Sequence, residues 1–342
     1  MFDIIQLQKV KSLLVQPKNI VLVSHKNPDG DTIGAALGMF HYLKLKGHTV
    51  SAVVPNDFPS FYKWLPGSEE MIIFEKEVSK SRNLIQKADI IFCMDFNSLS
   101  RTGTLADDLA KASGIKIMID HHPEPSDEFM YSFSVVESSS TGEIVFAWIE
   151  KLGDVDKISK NAALALYTAI MTDTGSFSYS CNRKETYDIV GKLIDMGVDA
   201  SLVHRLVYDT FTENRLRLLG FAISERMLVW NDLHTAVIYL TKADLKKYKY
   251  QVGDTEGVVN YPLSMENTNL AVLITEKDQL IRMSFRSKGN FDVNKLARKD
   301  FNGGGHKNAA GGNSPDSMEK TIDRLRKVLK GYKNDLNYKI TL

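Results

Sequence analysis

Cysteine is scarce: Cys93 and Cys181 are the only two in 342 residues. Two thiols cannot build a disulfide framework or a thiolate zinc site. Cys93 lies inside the apolar run IIFCM (90–94) and reads as a buried structural thiol. An excess of either charge is also missing. With 43 basic and 42 acidic residues the net charge is +1, so the chain is not built to coat long nucleic acid by bulk electrostatics. A short anionic substrate in a local basic pocket stays compatible, and the lysines and arginines between Arg282 and Lys307 are candidates to line one. Long hydrophobic runs are absent too. Runs such as IVLV (20–23) fall far below the roughly 18 residues of a membrane span. The N-terminal MFDIIQLQKVKSLLVQ carries charges throughout and reads as an amphipathic helix. It lacks the apolar stretch and small-residue cleavage site of a signal peptide. The expected location is the cytoplasm, with no membrane partner.

What is present is an alternation of apolar runs and helical patterns. NIVLVSH (19–25), TVSAVVP (49–55), ADIIFCMD (88–95) and GIKIMID (114–120) read as buried strands. Helical patterns cover about Thr32 to Lys46, 141–152 and 158–172. Strands alternating with helices imply an α/β fold with a parallel sheet covered on both faces. From Lys184 to Met227 the pattern is helical and charged, without Pro or Ser/Gly runs. Beyond it, MLVWN, TAVIYL, LAVLITE and LIRMSFRS read as strands, with helices at 242–248, 292–299 and after Asp316. YKITL (338–342) reads as a short strand or a tail. The length suits two domains. We expect a parallel-sheet domain over 1–185, a helical connection over 186–227 and a smaller α/β domain over 228–342.

The polar residues stand where chemistry is expected. Three buried strands end in His25, Asp95 and Asp120-His121-His122. In open α/β sheets, ligands bind outside the carboxyl ends of the strands, so these residues should converge at one edge. HKNPDGD (25–31) places one imidazole and two carboxylates, Asp29 and Asp31, on a turn that can aim several side chains inward. Asp31 is also a candidate cap for the next helix. Asp173 ends the pattern AALALYTAIMTD, where a carboxylate opposes the helix dipole and a nearby cation would relieve it. Together these positions supply at least two imidazoles and four carboxylates, enough for two cations sharing one carboxylate. Nitrogen and oxygen donors without sulfur favour Mn²⁺, Mg²⁺, Fe²⁺ or Co²⁺ over structural zinc. A pair of such ions about 3.5–4 Å apart can generate hydroxide and clamp a phosphate in an in-line displacement.

Near the C-terminus, FNGGGHKNAAGG (301–312) carries Gly303, Gly304, Gly305 and His306. The glycines allow the backbone to approach an anion and present N–H groups to it. The spacing fails that of a P-loop. Arg286, in FRSKG, can make a bidentate contact to phosphate. Tyr261 is a candidate for base stacking, with a core tyrosine as the alternative. His41, His48, His204 and His234 lack clustered acidic neighbours and read as structural or surface residues.

At this point the residues resemble the DHH phosphoesterase superfamily. SHKNPDGD (24–31), Asp95 followed by Arg101 and Gly103, DHHP (120–123), SSTGEIV (139–145) and TDTGSF (172–177) appear in the family's order. FRSKG and GGGHKNAAGG resemble the DHHA1 domain that accompanies a subset of it. The length and this ending are similar to the nanoRNase group, which pairs oligoribonuclease with pAp phosphatase activity. The resemblance implies a Mn²⁺-dependent enzyme, with Mg²⁺ or Co²⁺ as substitutes, acting on short RNA oligonucleotides and nucleotides. It implies that His25 and Asp29 bind one metal, that Asp31, His121 and Asp173 bind the other, and that Asp95 bridges them. His122 would face the substrate as general acid or phosphate contact, oriented by Asp120. Arg286, Ser287, the 303–306 segment and Arg101 would hold the substrate. Three alternatives follow from the resemblance: a RecJ-like single-stranded DNA exonuclease, a cyclic-di-AMP or pApA phosphodiesterase, and a non-catalytic nucleotide-binding protein. The last would have lost metal positions, and none is missing. No obligate protein partner is implied; a homodimer is compatible.

Overall fold

A computed structural model of the chain describes residues 2–278 and 280–339. It divides into two compact units, Met1–Thr210 and Phe211–Leu342. The end of YKITL, residues 340–342, lies outside the described residues; Tyr338 and Lys339 are not in a strand. Among the described residues no helix is long and apolar enough to cross a membrane.

The first unit opens with α1 (Ile4–Leu13), which buries Leu7 and Val10 and leaves Ile4 and Ile5 exposed. Its sheet contains β1 (Asn19–Ser24), β2 (Thr49–Val54), β3 (Ile72–Ile73), β4 (Ile90–Met94), β5 (Ile115–Asp120) and β6 (Tyr131–Ser134). All pairings are parallel, and the order is β3-β2-β1-β4-β5-β6. Four of these are the strands expected from apolar runs. The other two are short edge strands: β3 lies within the apolar run MIIF (71–74), which the sequence reading passed over, and β6 has no continuous apolar run.

Side chains on β1, β4 and β5 alternate between two cores. Ile20, Leu22, Phe92, Met94, Ile117 and Ile119 pack under α2 (Gly30–Leu45), and Val21, Val23, Ile91, Cys93 and Met118 pack on the other face. Burial of each such aliphatic side chain contributes roughly 1.5–3 kcal/mol. Cys93 is free, and burial pushes its thiol well above the ordinary range, so it is inert. The remaining helices are α3 (Val78–Lys87), α4 (Ala106–Lys111), α5 (Thr141–Leu152), α6 (Lys160–Asp173), α7 (Lys184–Asp195) and α8 (Ala200–Tyr208). Ile189, Val190 and Leu193 of α7, and Val203 and Val207 of α8, join the core under α2, so both helices belong to this unit.

The winding reverses between β1 and β4. From β1 the chain steps outward to β2 and β3, then returns to build β4, β5 and β6 on the other side. Such a switch point leaves a crevice at the carboxyl ends of the central strands.

The second unit begins with α9 (Glu213–Glu225). Its sheet holds β7 (Met227–Trp230), β8 (Thr235–Leu240), β9 (Leu270–Glu276), β10 (Ile281–Ser287), β11 (Gly304–His306) and β12 (Ala309–Ser314), in the order β11-β12-β10-β9-β8-β7. Only β8 and β9 pair in parallel. Helices α10 (Lys242–Lys247), α11 (Val293–Asp300) and α12 (Met318–Lys330) lie close to the expected positions. One face of the sheet packs Met283, Phe285 and Ala310 against Leu296 of α11 and Leu325 of α12. The other packs Ile238, Leu240, Ala271 and Leu273 against Leu218 of α9 and Leu245 of α10.

The hairpin of β11 and β12 corrects the reading of 301–312 as a glycine turn presenting N–H groups. Gly303 N–H donates to Ala297 O at 3.1 Å, and Gly305 N–H to Asn294 Oδ1 at 3.0 Å. Close packing is what requires glycine here: a Cβ on Gly303 would lie 1.9 Å from the Gly311 carbonyl oxygen.

Candidate active site

The turn after β1 is set by local chemistry. Asn27 adopts a left-handed conformation with φ 58°. The Asp29 side chain accepts from Thr32 N–H at 3.1 Å and caps α2. The cap is therefore Asp29. Asp31 lies inside the first turn and reaches a different helix, accepting from Thr141 N–H at 2.7 Å and Gly142 N–H at 2.9 Å. Those are the first N–H groups of α5, where a carboxylate is favoured by the helix dipole. Asp95, just past β4, also sits in the left-handed region, with φ 65°. Asp173 reaches the crevice because α6 packs tightly on α2. A Cβ on Gly30 would lie 2.3 Å from Thr172 Oγ1, so only glycine permits that approach.

These elements bring the strand-end residues together. Asp95 lies between two imidazoles: its Oδ2 is 3.4 Å from His25 Nε2, and its Oδ1 is 3.6 Å from His121 Nε2. On one side His25 Nε2 also stands 3.8 Å from Asp29 Oδ2. On the other, His121 Nε2 is 3.6 Å from Asp31 Oδ2 and 3.5 Å from Asp173 Oδ2. Ligand atoms of His25, Asp29 and Asp95 form one compact cluster, and those of Asp31, His121 and Asp173 form another. The outer nitrogens are anchored to backbone. His25 Nδ1 donates to Lys26 O at 2.9 Å, and His121 Nδ1 faces Ser138 O at 3.3 Å. With Nδ1 held in this way, each Nε2 is turned toward the carboxylates, as metal-binding histidines require. Asp31 and Asp95 are 1% and 2% exposed, whereas the Asp29 and Asp173 side chains are 50% and 32% exposed, so the crevice opens on their side.

The charge balance of this cluster calls for cations. Asp31 is pushed well above the ordinary carboxylate range by burial and by repulsion from Asp95, Asp173 and Asp29. Asp95 is held well below that range: burial opposes its charge, but the His25 hydrogen bond and the nearby imidazoles outweigh it. Burial disfavours the His25 and His121 imidazolium forms, yet the carboxylates facing them raise both. Protons thus stand in for missing positive charge. Among the described residues no lysine or arginine pairs with Asp31 or Asp95. A buried, sulfur-free set of oxygen and nitrogen donors fits a pair of hard or borderline divalent ions.

The next residue also approaches Asp95: His122 Nδ1 lies 3.7 Å from Asp95 Oδ1. His122 Nδ1 donates to Asp120 Oδ1 at 2.7 Å, and its Nε2 lies 3.4 Å from Arg101 Nη2. Asp120 is fully buried, and its Oδ2 lacks a hydrogen-bond partner. Burial, opposed by Asp120 but assisted by Arg101, lowers the His122 pKa. Arg101 is fixed through its carbonyl, which accepts from Lys26 N–H at 2.8 Å.

Two hydroxyls escaped the sequence reading. Thr32 Oγ1 lies 2.6 Å from His25 Nε2 and 2.5 Å from Asp95 Oδ2, and Thr141 Oγ1 donates to Asp95 Oδ1 at 2.9 Å. Both threonines are fully buried. Thr141 belongs to the SSTGEIV segment, which was the available signal; for Thr32 the signal was its place beside Asp31. Of the histidines read as structural, His41 bonds the Pro66 carbonyl, His48 accepts from Lys18 N–H, and His234 Nδ1 lies 3.2 Å from the Asn267 carbonyl. His204 bonds Ser176 Oγ at 2.9 Å.

In the second unit, β10 and its neighbours sort the remaining candidates. Register places Arg286 opposite Ala309, and Ala309 opposite His306, so Arg286 and His306 share one face. Gly304 lies on that face as well, opposite Gly311. Ser287 does not. It is buried on the other face, and its hydroxyl donates to Phe291 O at 2.6 Å while accepting from Asn308 Nδ2. Tyr261 is not a core residue, being 48% exposed on the 3-10 segment Val258–Ser264.

Comparison with known proteins agrees with this architecture. The profile of the DHH family N-terminal domain matches residues 19–170, and that of the DHHA1 domain matches 234–335. The chain is 27% identical over 316 residues to the bifunctional oligoribonuclease and PAP phosphatase NrnA of Bacillus subtilis (strain 168), covering 91% of this chain and 95% of that one. It is 27% identical over 314 residues to the cyclic-di-AMP phosphodiesterase PdeA of Listeria monocytogenes, covering 87% of this chain and 45% of that one. A crystal structure of an exopolyphosphatase-related protein from Bacteroides fragilis matches with a TM-score of 0.93 and 40% identity, over 99% of both chains. The chain therefore belongs to the DHH phosphoesterase family, with a DHHA1 domain following the DHH domain.

Proposed function

We propose that this protein is a Mn²⁺-dependent phosphoesterase that hydrolyses short oligoribonucleotides to mononucleotides and 3′-phosphoadenosine 5′-phosphate (pAp) to AMP. The observation that carries the reading is Asp95, whose two oxygens face different imidazoles. His25, Asp29 and Asp95 would hold one cation, and Asp31, His121 and Asp173 the other, with Asp95 offering an oxygen to each. Such a pair, when bound, lowers the pKa of water and neutralises phosphate charge. Thr32 and Thr141 fix the Asp95 carboxylate from two sides. Asp120 holds His122 through Nδ1, which turns Nε2 toward Arg101, where it would meet a phosphate oxygen or pass a proton to the leaving oxygen. The Arg101 guanidinium stands beside that nitrogen and suits a non-bridging phosphate oxygen. In the second unit, Arg286 and His306 present donors on one sheet face for the far phosphate or terminal nucleotide. Similarity to the Bacillus subtilis enzyme supports this substrate class.

Similarity to the Listeria phosphodiesterase favours a second reading, hydrolysis of cyclic-di-AMP or its linear product pApA. One panel separates the two: pAp, a labelled RNA trimer, pApA, cyclic-di-AMP and a long single-stranded DNA, all with Mn²⁺. The proposal expects turnover of pAp and the trimer well above the others. Inactivity of the metal-loaded protein on both of these would sink it, and preferential turnover of the dinucleotides would establish the second reading instead.

A further inference from the structure

The sheet face that presents Arg286 and His306 continues along β10. Alternation places Arg282, Ser284 and Arg286 on this face, with Met283 and Phe285 on the packed one. Arg282 pairs in register with Asn313, Ser284 with Gly311, and Arg286 with Ala309. Gly311 pairs with Gly304 on β11, so toward that edge the floor between the arginines is Ser284 and two glycines, while on the other side Ser284 pairs with the buried Leu273 of β9. The arginines are four residues apart, about 13 Å along the strand. Arg286 is drawn toward its own strand by donation from Nη1 to Phe285 O at 3.0 Å. Side chains standing at that separation suit two phosphates better than one.

The surroundings of Arg282 are basic and aromatic. Arg282 is exposed as a residue, yet burial around its guanidinium lowers its pKa, and among the described residues it forms no ion pair. Lys277, in the turn after β9, holds its ammonium 4.6 Å from the Tyr250 ring centroid. Burial, and then the Arg282 guanidinium, hold the Lys277 ammonium below its ordinary pKa. Arg282 pairs in register with Thr275, and Lys277 follows two residues later, so the two cations are diagonal neighbours and their charges repel. Asp278, which partly offsets this, pairs with Lys242 at 3.2 Å. An anion beside Arg282 would relieve the repulsion, and the Tyr250 ring lies alongside.

We propose that Arg282, with Lys277 and Tyr250 beside it, forms a second phosphate subsite, which takes a phosphodiester further along an oligonucleotide whose end Arg286 and His306 hold. The inference rests on the reading of this face as the substrate anchor. It gives the second unit a role in length preference: a single nucleotide such as pAp engages one arginine, and a longer strand engages both.

The test is the Michaelis constant for pAp and for an RNA pentamer, measured on the full-length Mn²⁺-loaded protein and on Arg282→Met, Arg282→Lys and Arg286→Ala. Arg282→Met should raise the ratio of pentamer KM to pAp KM about three- to tenfold. Arg282→Lys should recover most of that loss. The slope of log KM against log salt for the pentamer should fall by about 0.7 in Arg282→Met, the loss of one phosphate contact on a single strand. An unchanged ratio with an unchanged salt slope would overturn the subsite while leaving the anchor standing, provided Arg286→Ala raises the KM. Silence of Arg286→Ala as well would overturn the anchor reading on which the subsite rests.

Discussion

The two sheets of this protein present polar residues in opposite ways. In the first, all strands run parallel, and the chemistry gathers where β1, β4 and β5 end. Asp31, Asp95 and Asp120 are almost wholly buried there, each between imidazoles or helix N–H groups. In the second, the strands are mostly antiparallel, and Arg282, Ser284 and Arg286 stand on one face of β10, exposed or half-buried. A buried polar group is costly to leave unmatched, so its position is tightly specified and its removal is severe. An exposed guanidinium is matched by water until a ligand arrives, so its removal weakens binding with little effect on the fold. The first arrangement suits chemistry at a fixed point. The second suits a substrate that varies in length.

The sharpest way to break this contrast is Asp95→Ala. It removes the carboxylate that faces both imidazoles and should lower kcat by about three orders of magnitude, measured on pAp with saturating Mn²⁺. Retention of substantial turnover would refute the bridging role. Next is Asp120→Asn, which keeps the shape but weakens the hold on His122 Nδ1. Here kcat should fall about 10- to 100-fold, with bound metal by elemental analysis unchanged. Loss of metal instead would make Asp120 part of the metal-holding set. Arg286→Ala, from the exposed region, should raise KM about tenfold and leave kcat nearly intact. A pure kcat effect would erase the division between the two sheets.

The smallest effect concerns a pair outside both sites. Lys46 Nζ lies 2.6 Å from Asp154 Oδ2, and Tyr42 donates to the same oxygen. Burial opposes the Asp154 charge, but these donors win and depress its pKa below the ordinary 3.8. A depressed carboxylate adds stability above its unfolded pKa and loses it as pH falls through the folded one. Asp154→Asn should therefore lower stability by about 1 kcal/mol at neutral pH, a Tm drop of roughly 2–4 °C. The gap should close below about pH 4. A gap independent of pH would assign the effect to packing.

Much of the first site was legible because β1, β4 and β5 are continuous apolar runs that end abruptly in His25, Asp95 and Asp120. A run of that kind forces a buried strand, and a charged residue at its end must emerge at the crevice. The contacts made by Asp31 were not legible. They reach Thr141 and Gly142 over more than a hundred residues, and no local pattern encodes that distance. The contacts of Thr32 and Thr141 with Asp95 were hidden for the same reason: a hydroxyl near a motif acquires its meaning from distant neighbours. In the second unit β7 to β10 followed from β-branched and aromatic residues, whereas β11 and β12 did not. Glycine and alanine have low strand propensity, so GGH and AAGGNS carry no alternating signal. Without that hairpin, the shared face of Arg286 and His306 could not be read.

On the proposed reading, the strand-end acids and histidines form a two-metal centre that hydrolyses a phosphoester. Its most direct test is a Mn²⁺ titration of chelator-stripped protein, following bound metal and pAp hydrolysis in the same sample. The stripped protein should show no turnover, and full turnover should return as a second equivalent of Mn²⁺ binds. Turnover that is complete without metal, or two bound equivalents with no hydrolysis of pAp or an RNA trimer, would contradict it.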